Sequence, residues 1–274
     1  MLQTKLRPVY ILTTIITVLA IVASAGGLFI DHLYRDNLLV TSGWYGNDLV
    51  TLVVAVPMLV VALILSMRGS QRAQRAQLVW LGMLDYMLYN YAFYLFGTAF
   101  NAFFLVYVAL FALSIFALIF GLVALDVKGL SQQFRARTPV KWIAGYMMFV
   151  ALGLSGVYVA QWMAFIATGR LPPIVTQTGH PTSVVFALDL SLVVPVLALG
   201  AVWLWKRQPW GYVLAVIANV KGAAYMLALC AVTVSAVRAG ASEGMSQVAL
   251  WGGIGLASLI ASFFLLGNLE PSNK

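Results

Sequence analysis

The chain alternates between long apolar runs and short polar segments. Each run approaches the roughly 20 apolar residues that an α-helix needs to cross a bilayer. The eight runs lie near residues 9–30, 49–67, 78–98, 102–125, 142–168, 184–205, 211–237 and 248–267. The pattern predicts an all-α integral membrane protein with eight transmembrane helices. They form a single transmembrane bundle over residues 1–274, with both termini on the same side.

The composition favours lipid as the main solvent. Hydrophobic residues make up 62% of the chain and charged residues 9%, whereas a soluble domain carries about 25% charged residues. The formal net charge is +8, but the basic residues lie mostly in short segments between apolar runs. We therefore expect the lipid bilayer as a partner and no binding of nucleic acid.

The basic residues also predict the orientation. Three of them fall on one side of the predicted bundle, namely Arg35, Arg170 and Arg238. Twelve fall on the other side, namely Lys5, Arg7, Arg68, Arg72, Arg75, Lys128, Arg135, Arg137, Lys141, Lys206, Arg207 and Lys274. Because cytoplasmic loops are enriched in Lys and Arg, this bias predicts cytoplasmic N- and C-termini in a bacterial inner (cytoplasmic) membrane.

The layout of the runs suggests an internal duplication. A shift of about 138 residues superposes runs one to four on runs five to eight, so that each half contains four spans. Pro57 then falls beside Pro195. Four spans precede the second half, so both halves enter the membrane from the same side. We expect a parallel 4+4 repeat, with halves 1–130 and 139–274.

Three ionisable residues lie well inside the apolar runs: Asp85 in the third, Asp189 in the sixth and Lys221 in the seventh. A charge in hydrocarbon is costly, so such residues usually pair with one another or serve a function. At the helical rise per residue, Lys221 lies roughly 13–15 Å from the cytoplasmic edge, near the midplane. Asp85 is its preferred partner on depth, and Asp189 is a close second.

Polar neighbours extend this group into a predicted substrate or proton path. Helical spacing places Tyr89 on the face of Asp85 and Tyr225 on the face of Lys221, with Asn90 and Asn219 nearby. The leading hypothesis is a small secondary transporter or proton-coupled permease that moves an unknown small molecule or protons. Lys221 would act as its central switch. The structural alternative is a buried ion pair that only fixes helix register.

Two other classes of function remain open. One is a membrane-embedded enzyme, or a chromophore- or lipid-binding protein, that acts through Lys221; an enzyme is the less expected outcome. "GLSG" at 153–156 resembles the serine motif of rhomboid proteases, but no histidine lies at matching depth, which leaves only a Ser155–Lys221 dyad. A lysine in the seventh run also resembles retinal proteins, although Ile217 stands where those carry an aspartate. The other class is a non-catalytic assembly or sensory protein.

The remaining metal-ligand candidates are weak. His32 and His180 lie at similar places in the two predicted halves, near Asp31, Asp36 and Asp48. They offer an outer metal site, but surface histidines are the better interpretation, so no metal is expected. The sequence identifies no substrate, cofactor or oligomeric state.

Overall fold

The computed structural model describes residues 2–68 and 73–270, and it is all-α. The eight long helices are α1 Leu2–Phe29, α2 Leu38–Met67, α3 Ala73–Gly97, α4 Phe104–Val123, α5 Val140–Thr168, α6 Val184–Trp205, α7 Pro209–Arg238 and α8 Ser246–Gly267. Two short helices, Val127–Gln132 and Pro173–Thr178, lie in the connections before α5 and α6.

Seven of the eight long helices are long and apolar enough to cross a membrane, which makes this a multi-pass membrane protein. The exception is α3, which has 25 residues but carries Asp85, Asn90 and several tyrosines. Most of α3 is buried, and Asn90 is 0% exposed. A helix that contacts protein on nearly every side does not need a lipid-compatible surface, so its polarity follows from its central position.

The start of α2 corrects the sequence interpretation. We expected the second helix to begin near residue 49, but it begins at Leu38, and Asn37 caps it by accepting a hydrogen bond from the Val40 N–H at 3.0 Å. The polar and glycine-rich segment 41–48 resembles a loop in composition. It is helical because it packs on α7, where a Cβ added to Gly46 would lie 2.5 Å from the Ala231 carbonyl oxygen.

The bundle has two distinguishable ends. We call the end at which α1 begins and α8 ends the terminal end. There the Arg75 Nε–H donates to the Leu269 carbonyl at 3.2 Å, and Arg135 pairs with Glu270 at 2.9 Å. At the opposite, distal end, the Asn37 side chain donates to the Gln177 carbonyl at 2.8 Å. The long helices alternate in direction between these two ends.

The central helices are α3 and α7. Helix α7 contacts α2, α3, α6 and α8, and α3 contacts α2, α4, α6 and α7. Gly82 lets α3 and α7 approach closely, since a Cβ at this position would lie 2.7 Å from the Val220 side chain. Side chains that face each other across this pair are therefore shielded from lipid.

Two π-helical segments interrupt α2 and α6, each just before a proline inside the helix. Thr51–Ala55 lies within α2 before Pro57, and Asp189–Val193 lies within α6 before Pro195. A proline ring clashes with the carbonyl four residues earlier, and a wider turn relieves that clash. Asp189 thus stands at the first position of a widened turn, a feature common at functional sites.

Candidate functional site

Lys221 lies on α7 with 7% of its surface exposed, and its ammonium contacts an aromatic face. The Nζ atom is 3.8 Å from the centroid of the Tyr89 ring on α3 and 5.4 Å from that of Tyr225, one turn along α7. A desolvated cation over an aromatic ring gains about 2 kcal/mol or more. The two tyrosines thus offset part of the cost of burying the charge.

Direct pairing of Lys221 with Asp85 was the preferred expectation, and the structure shows a different contact. Among residues 2–68 and 73–270, no carboxylate oxygen lies within 4.0 Å of the Lys221 ammonium. Asp85 and Asp189 are the carboxylates whose charges act on it from farther away. Lys221 therefore has two carboxylates in its surroundings and is bound directly to neither.

Asp189 is 8% exposed and has its own hydrogen-bond donors. The Tyr89 hydroxyl donates to Oδ1 at 2.6 Å, and the Tyr158 hydroxyl donates to Oδ2 at 2.6 Å. Tyr89 therefore contacts the ammonium with its ring and the carboxylate with its hydroxyl. This one side chain joins the two buried charges, and the centre is built from α3, α5, α6 and α7.

Sequence reasoning missed Tyr158. It is half-buried on α5 and stacks on Phe186 with ring centroids 4.3 Å apart, which aims its hydroxyl at Asp189. The only signal was a tyrosine in the middle of an apolar run, which is also typical of plain packing. Because Tyr158 is half-buried, the centre lies close to the surface between α5 and α6.

Asp85 occupies the terminal side of this centre. It lies twelve residues into α3 (73 to 85), and Lys221 lies twelve residues into α7 (209 to 221), so the two are at similar depth. Tyr89, over which the ammonium lies, is one helical turn nearer the distal end. Asp85 is half-buried although Leu84 is 0% exposed, and its carboxylate makes no hydrogen bond with the described residues. Some accessible space therefore reaches the carboxylate.

The two predicted asparagines have other partners. Asn90 accepts a hydrogen bond from the Asn47 side chain on α2 at 2.7 Å. Asn219 donates to the Ala215 carbonyl of its own helix at 2.8 Å. Neither contact involves Lys221, so these amides contribute to the polar interior without touching its charged centre.

Two alternative sites are not assembled in the described residues. Ser155 donates to the Ala151 carbonyl at 2.8 Å, so its hydroxyl is not engaged by Lys221. At the distal end His180 lies 3.9 Å from Asp36, and His32 is exposed in a left-handed conformation. Among residues 2–68 and 73–270, no group of three or more His, Cys, Asp or Glu side chains is arranged to hold a metal ion.

A second buried carboxylate, Asp48 on α2, was assigned to a loop by the sequence interpretation. It is 2% exposed and accepts hydrogen bonds from the hydroxyls of Tyr34 at 2.5 Å and Tyr94 at 2.8 Å. Tyr34 lies in the connection between α1 and α2. Burial, and then the nearby charge of Asp48, raise the pKa of the Tyr34 hydroxyl, so it stays a donor at neutral pH.

Comparison with known proteins gives no relative from which a role for these residues follows. No family model, no curated protein and no solved structure matches the chain. The functional argument therefore rests on the geometry alone.

Proposed function

We propose that α3 is an eighth membrane span and that the chain consists of two related four-helix halves, 1–130 and 139–274. Three features support a repeat at an offset of 138 residues. Thr51 and Asp189 both begin a π segment, and Pro57 and Pro195 follow at the same distance. The contacts α2–α3 and α3–α4 recur as α6–α7 and α7–α8, with α3 against α7 at the centre.

We also propose that the terminal end faces the cytoplasm of a bacterial cell. That end carries most of the basic residues, and the positive-inside rule then sets the orientation. The distal end, with Asp36 and His180, faces outward under this assignment. Asp85 lies on the inner side of the centre and Asp189 on the outer side.

Within that frame we propose that the protein is a small secondary transporter coupled to protons, with Lys221 as the moving charge. The observation that carries this proposal is the contact of a buried ammonium with the Tyr89 ring, while the carboxylates of Asp85 and Asp189 lie nearby without binding it directly. A lysine that served only to fix helix register would be expected in a direct ion pair, because an unpaired buried charge is costly.

The centre supports a simple cycle. Protonation of Asp189 removes the charge that attracts Lys221 toward the distal side. The ammonium then moves by about one helical turn toward Asp85, roughly 5 Å. Loss of the proton returns it to the Tyr89 ring. Each position favours one arrangement of the helices around α3 and α7, which is a population shift driven by differential contacts.

The test is solute uptake by proteoliposomes under an imposed inward proton gradient. A panel of radiolabelled amines, amino acids and organic acids is screened with the wild-type protein. Any transported solute is then measured with Lys221→Met and Asp189→Asn. We expect both variants to lose accumulation against a concentration gradient by at least about tenfold, since each removes one member of the switch.

The matched control is Lys141→Met. Lys141 also lies near an aromatic ring, that of Trp205 at 5.9 Å, but it is exposed at the terminal end. Its replacement should leave accumulation unchanged. Full gradient-driven uptake by Lys221→Met would refute the proposed role of the lysine.

A further inference from the structure

A second polar cluster, separate from Lys221, lies near the distal ends of α1 to α4. Its centre is Asp48, and its other members are Ser24 on α1, Tyr91 and Tyr94 on α3, and Tyr107 on α4, together with Tyr34. All are buried, and Ser24, Tyr91 and Tyr107 are each 1% exposed. We call this group the Asp48 cluster.

The carboxylate of this cluster has donors but no counter-ion among the described residues. Tyr34 and Tyr94 donate one hydrogen bond to each of its oxygens. No Lys, Arg or His side chain of residues 6–68 and 73–270 lies within 4.0 Å of it. Two phenol donors favour an ionised carboxylate, but they leave its full negative charge inside the bundle.

Three hydroxyl oxygens near this carboxylate make no hydrogen bond with the described residues. Ser24 lies one helical turn before Gly27, on the part of α1 that packs on Asp48. The rings of Tyr91 and Tyr107 lie 5.8 and 5.3 Å from the ring of Tyr94, which donates to Asp48. The oxygens of Ser24, Tyr91 and Tyr107 are all unsatisfied. Buried polar atoms in native proteins are nearly always paired, so three in one place indicate a bound species.

The unbalanced charge and the unpaired oxygens together select the kind of species. A proton on Asp48 cancels the charge but satisfies at most one of the three hydroxyls. A water molecule satisfies hydroxyls but leaves the charge. One small monovalent cation does both as a single species, whereas a protonated carboxyl needs a water molecule in addition. Hard cations take carboxylate and neutral oxygen ligands, and one carboxylate balances one positive charge.

The α1 backbone forms a tight wall of the site, and a groove opens beyond its aromatic neighbours on the distal side. A Cβ added to Gly27 would lie 1.9 Å from an Asp48 oxygen, so the carboxylate packs directly on the α1 backbone. On the distal side, the Tyr94 ring packs on Trp44 with ring centroids 4.5 Å apart and a tilt of 36°, and the Trp44 indole donates to Asp36. Asp36 lines an open groove of about 460 Å³ at the distal end.

We propose that the Asp48 cluster binds a small monovalent cation of the sodium class. The ligands are the Asp48 carboxylate and the hydroxyl oxygens of Ser24, Tyr91 and Tyr107. This inference does not rest on the proposed transport function, because it uses none of the residues around Lys221. It assigns the distal half of α1 to α4 a role that the transport proposal leaves open.

The test is the thermal stability of the full-length protein in detergent, with sodium chloride replacing choline chloride at constant ionic strength. A cation that binds only the folded state raises the melting temperature with the logarithm of its concentration. We expect a rise of several degrees for the wild-type protein and none for Asp48→Asn. Ser24→Ala keeps the carboxylate but loses one ligand, and it should need several-fold more sodium for the same rise.

Two controls separate this site from other effects. Asp31→Asn removes an exposed carboxylate at the same end of the bundle and should keep the full response. Lys221→Met should also keep it, which distinguishes failure of the cation site from failure of the transport proposal. If Asp48→Asn does not fold, equilibrium binding of radioactive sodium to wild type and Ser24→Ala decides the question.

Three results would overturn the proposal. The first is a wild-type melting temperature that is the same in sodium and in choline. The second is a sodium response that survives in Asp48→Asn, or binding that is equal in wild type and Ser24→Ala. The third is a stability that depends on pH through Asp48 but not on sodium, which would make a proton the occupant.

Discussion

Replacing Tyr89 separates the two contacts that this residue makes. Tyr89→Phe keeps the ring under the Lys221 ammonium but removes the hydroxyl that donates to Asp189 at 2.6 Å. Hydrogen bonds to charged groups contribute about 1.5–3 kcal/mol, and values measured within membranes lie lower, so we expect a loss of about 1.5 kcal/mol. Tyr89→Leu also removes the ring, and the lost cation–π contact adds about 2 kcal/mol.

The assay is unfolding in detergent micelles titrated with a denaturing detergent, for both variants with and without Lys221→Met. In the Lys221→Met background, Tyr89→Phe and Tyr89→Leu should differ by much less, because no ammonium remains to contact the ring. This coupling is the quantity that a double-mutant cycle measures. Tyr10→Phe is the control, since the Tyr10 hydroxyl is buried without a partner and its loss should cost little.

Equal costs for Tyr89→Phe and Tyr89→Leu would refute the reasoning, because the aromatic face would then contribute nothing to holding the ammonium. The same conclusion would follow if the difference between them persisted unchanged in the Lys221→Met background.

Two further substitutions test the packing of α2 and of the distal end. Gly46→Ala places a methyl group 2.5 Å from the Ala231 carbonyl oxygen, so α2 and α7 must separate. The protein should lose about 2 kcal/mol or more of stability, measured by detergent unfolding. Unchanged stability would show that the two helices pack differently. Asp36→Asn weakens the acceptor for the Trp44 indole at 3.1 Å and for the Ala99 N–H at 2.9 Å. Amide hydrogen exchange around residues 98–103 should therefore accelerate. Unaltered exchange would contradict this anchoring role of Asp36.

The fold was largely predictable because lipid imposes a simple rule: a helix that faces lipid is apolar over about 20 residues. Apolar runs gave close bounds for α4 to α8, whose outer surfaces face hydrocarbon. The rule fails where a helix contacts mainly protein. Residues 38–48 lie outside the predicted second run because they contain glycines and polar side chains, yet they form the first turns of α2 against α7. Asn37 as a helix cap was the signal that was overlooked.

The sequence was enough to predict which residues belong to the candidate site, but not which of them are in contact. Lys221 and Asp189 stood out because charges inside apolar runs are rare, and Tyr89 because helical spacing places it on the face of Asp85. Depth alone favoured Asp85 as the partner of Lys221, but depth does not tell which way a side chain points around its helix. Asp48 was missed for a different reason, because a carboxylate outside the predicted helices has no reason to be buried.

The polarity of α3 has a consequence for how the protein enters the membrane. An insertion machinery that reads apolarity segment by segment meets Asp85 near the middle of α3, and an aspartate there costs about 2.5–3.5 kcal/mol on the scale of biological insertion. The helix that completes its surroundings, α7, is synthesised more than a hundred residues later (97 to 209). During that interval α3 has α2 and α4 as neighbours but lacks the contact with α7. If α3 spans the membrane as proposed, biogenesis includes a stage in which Asp85 lies in the bilayer before the helix that carries Lys221 has been synthesised.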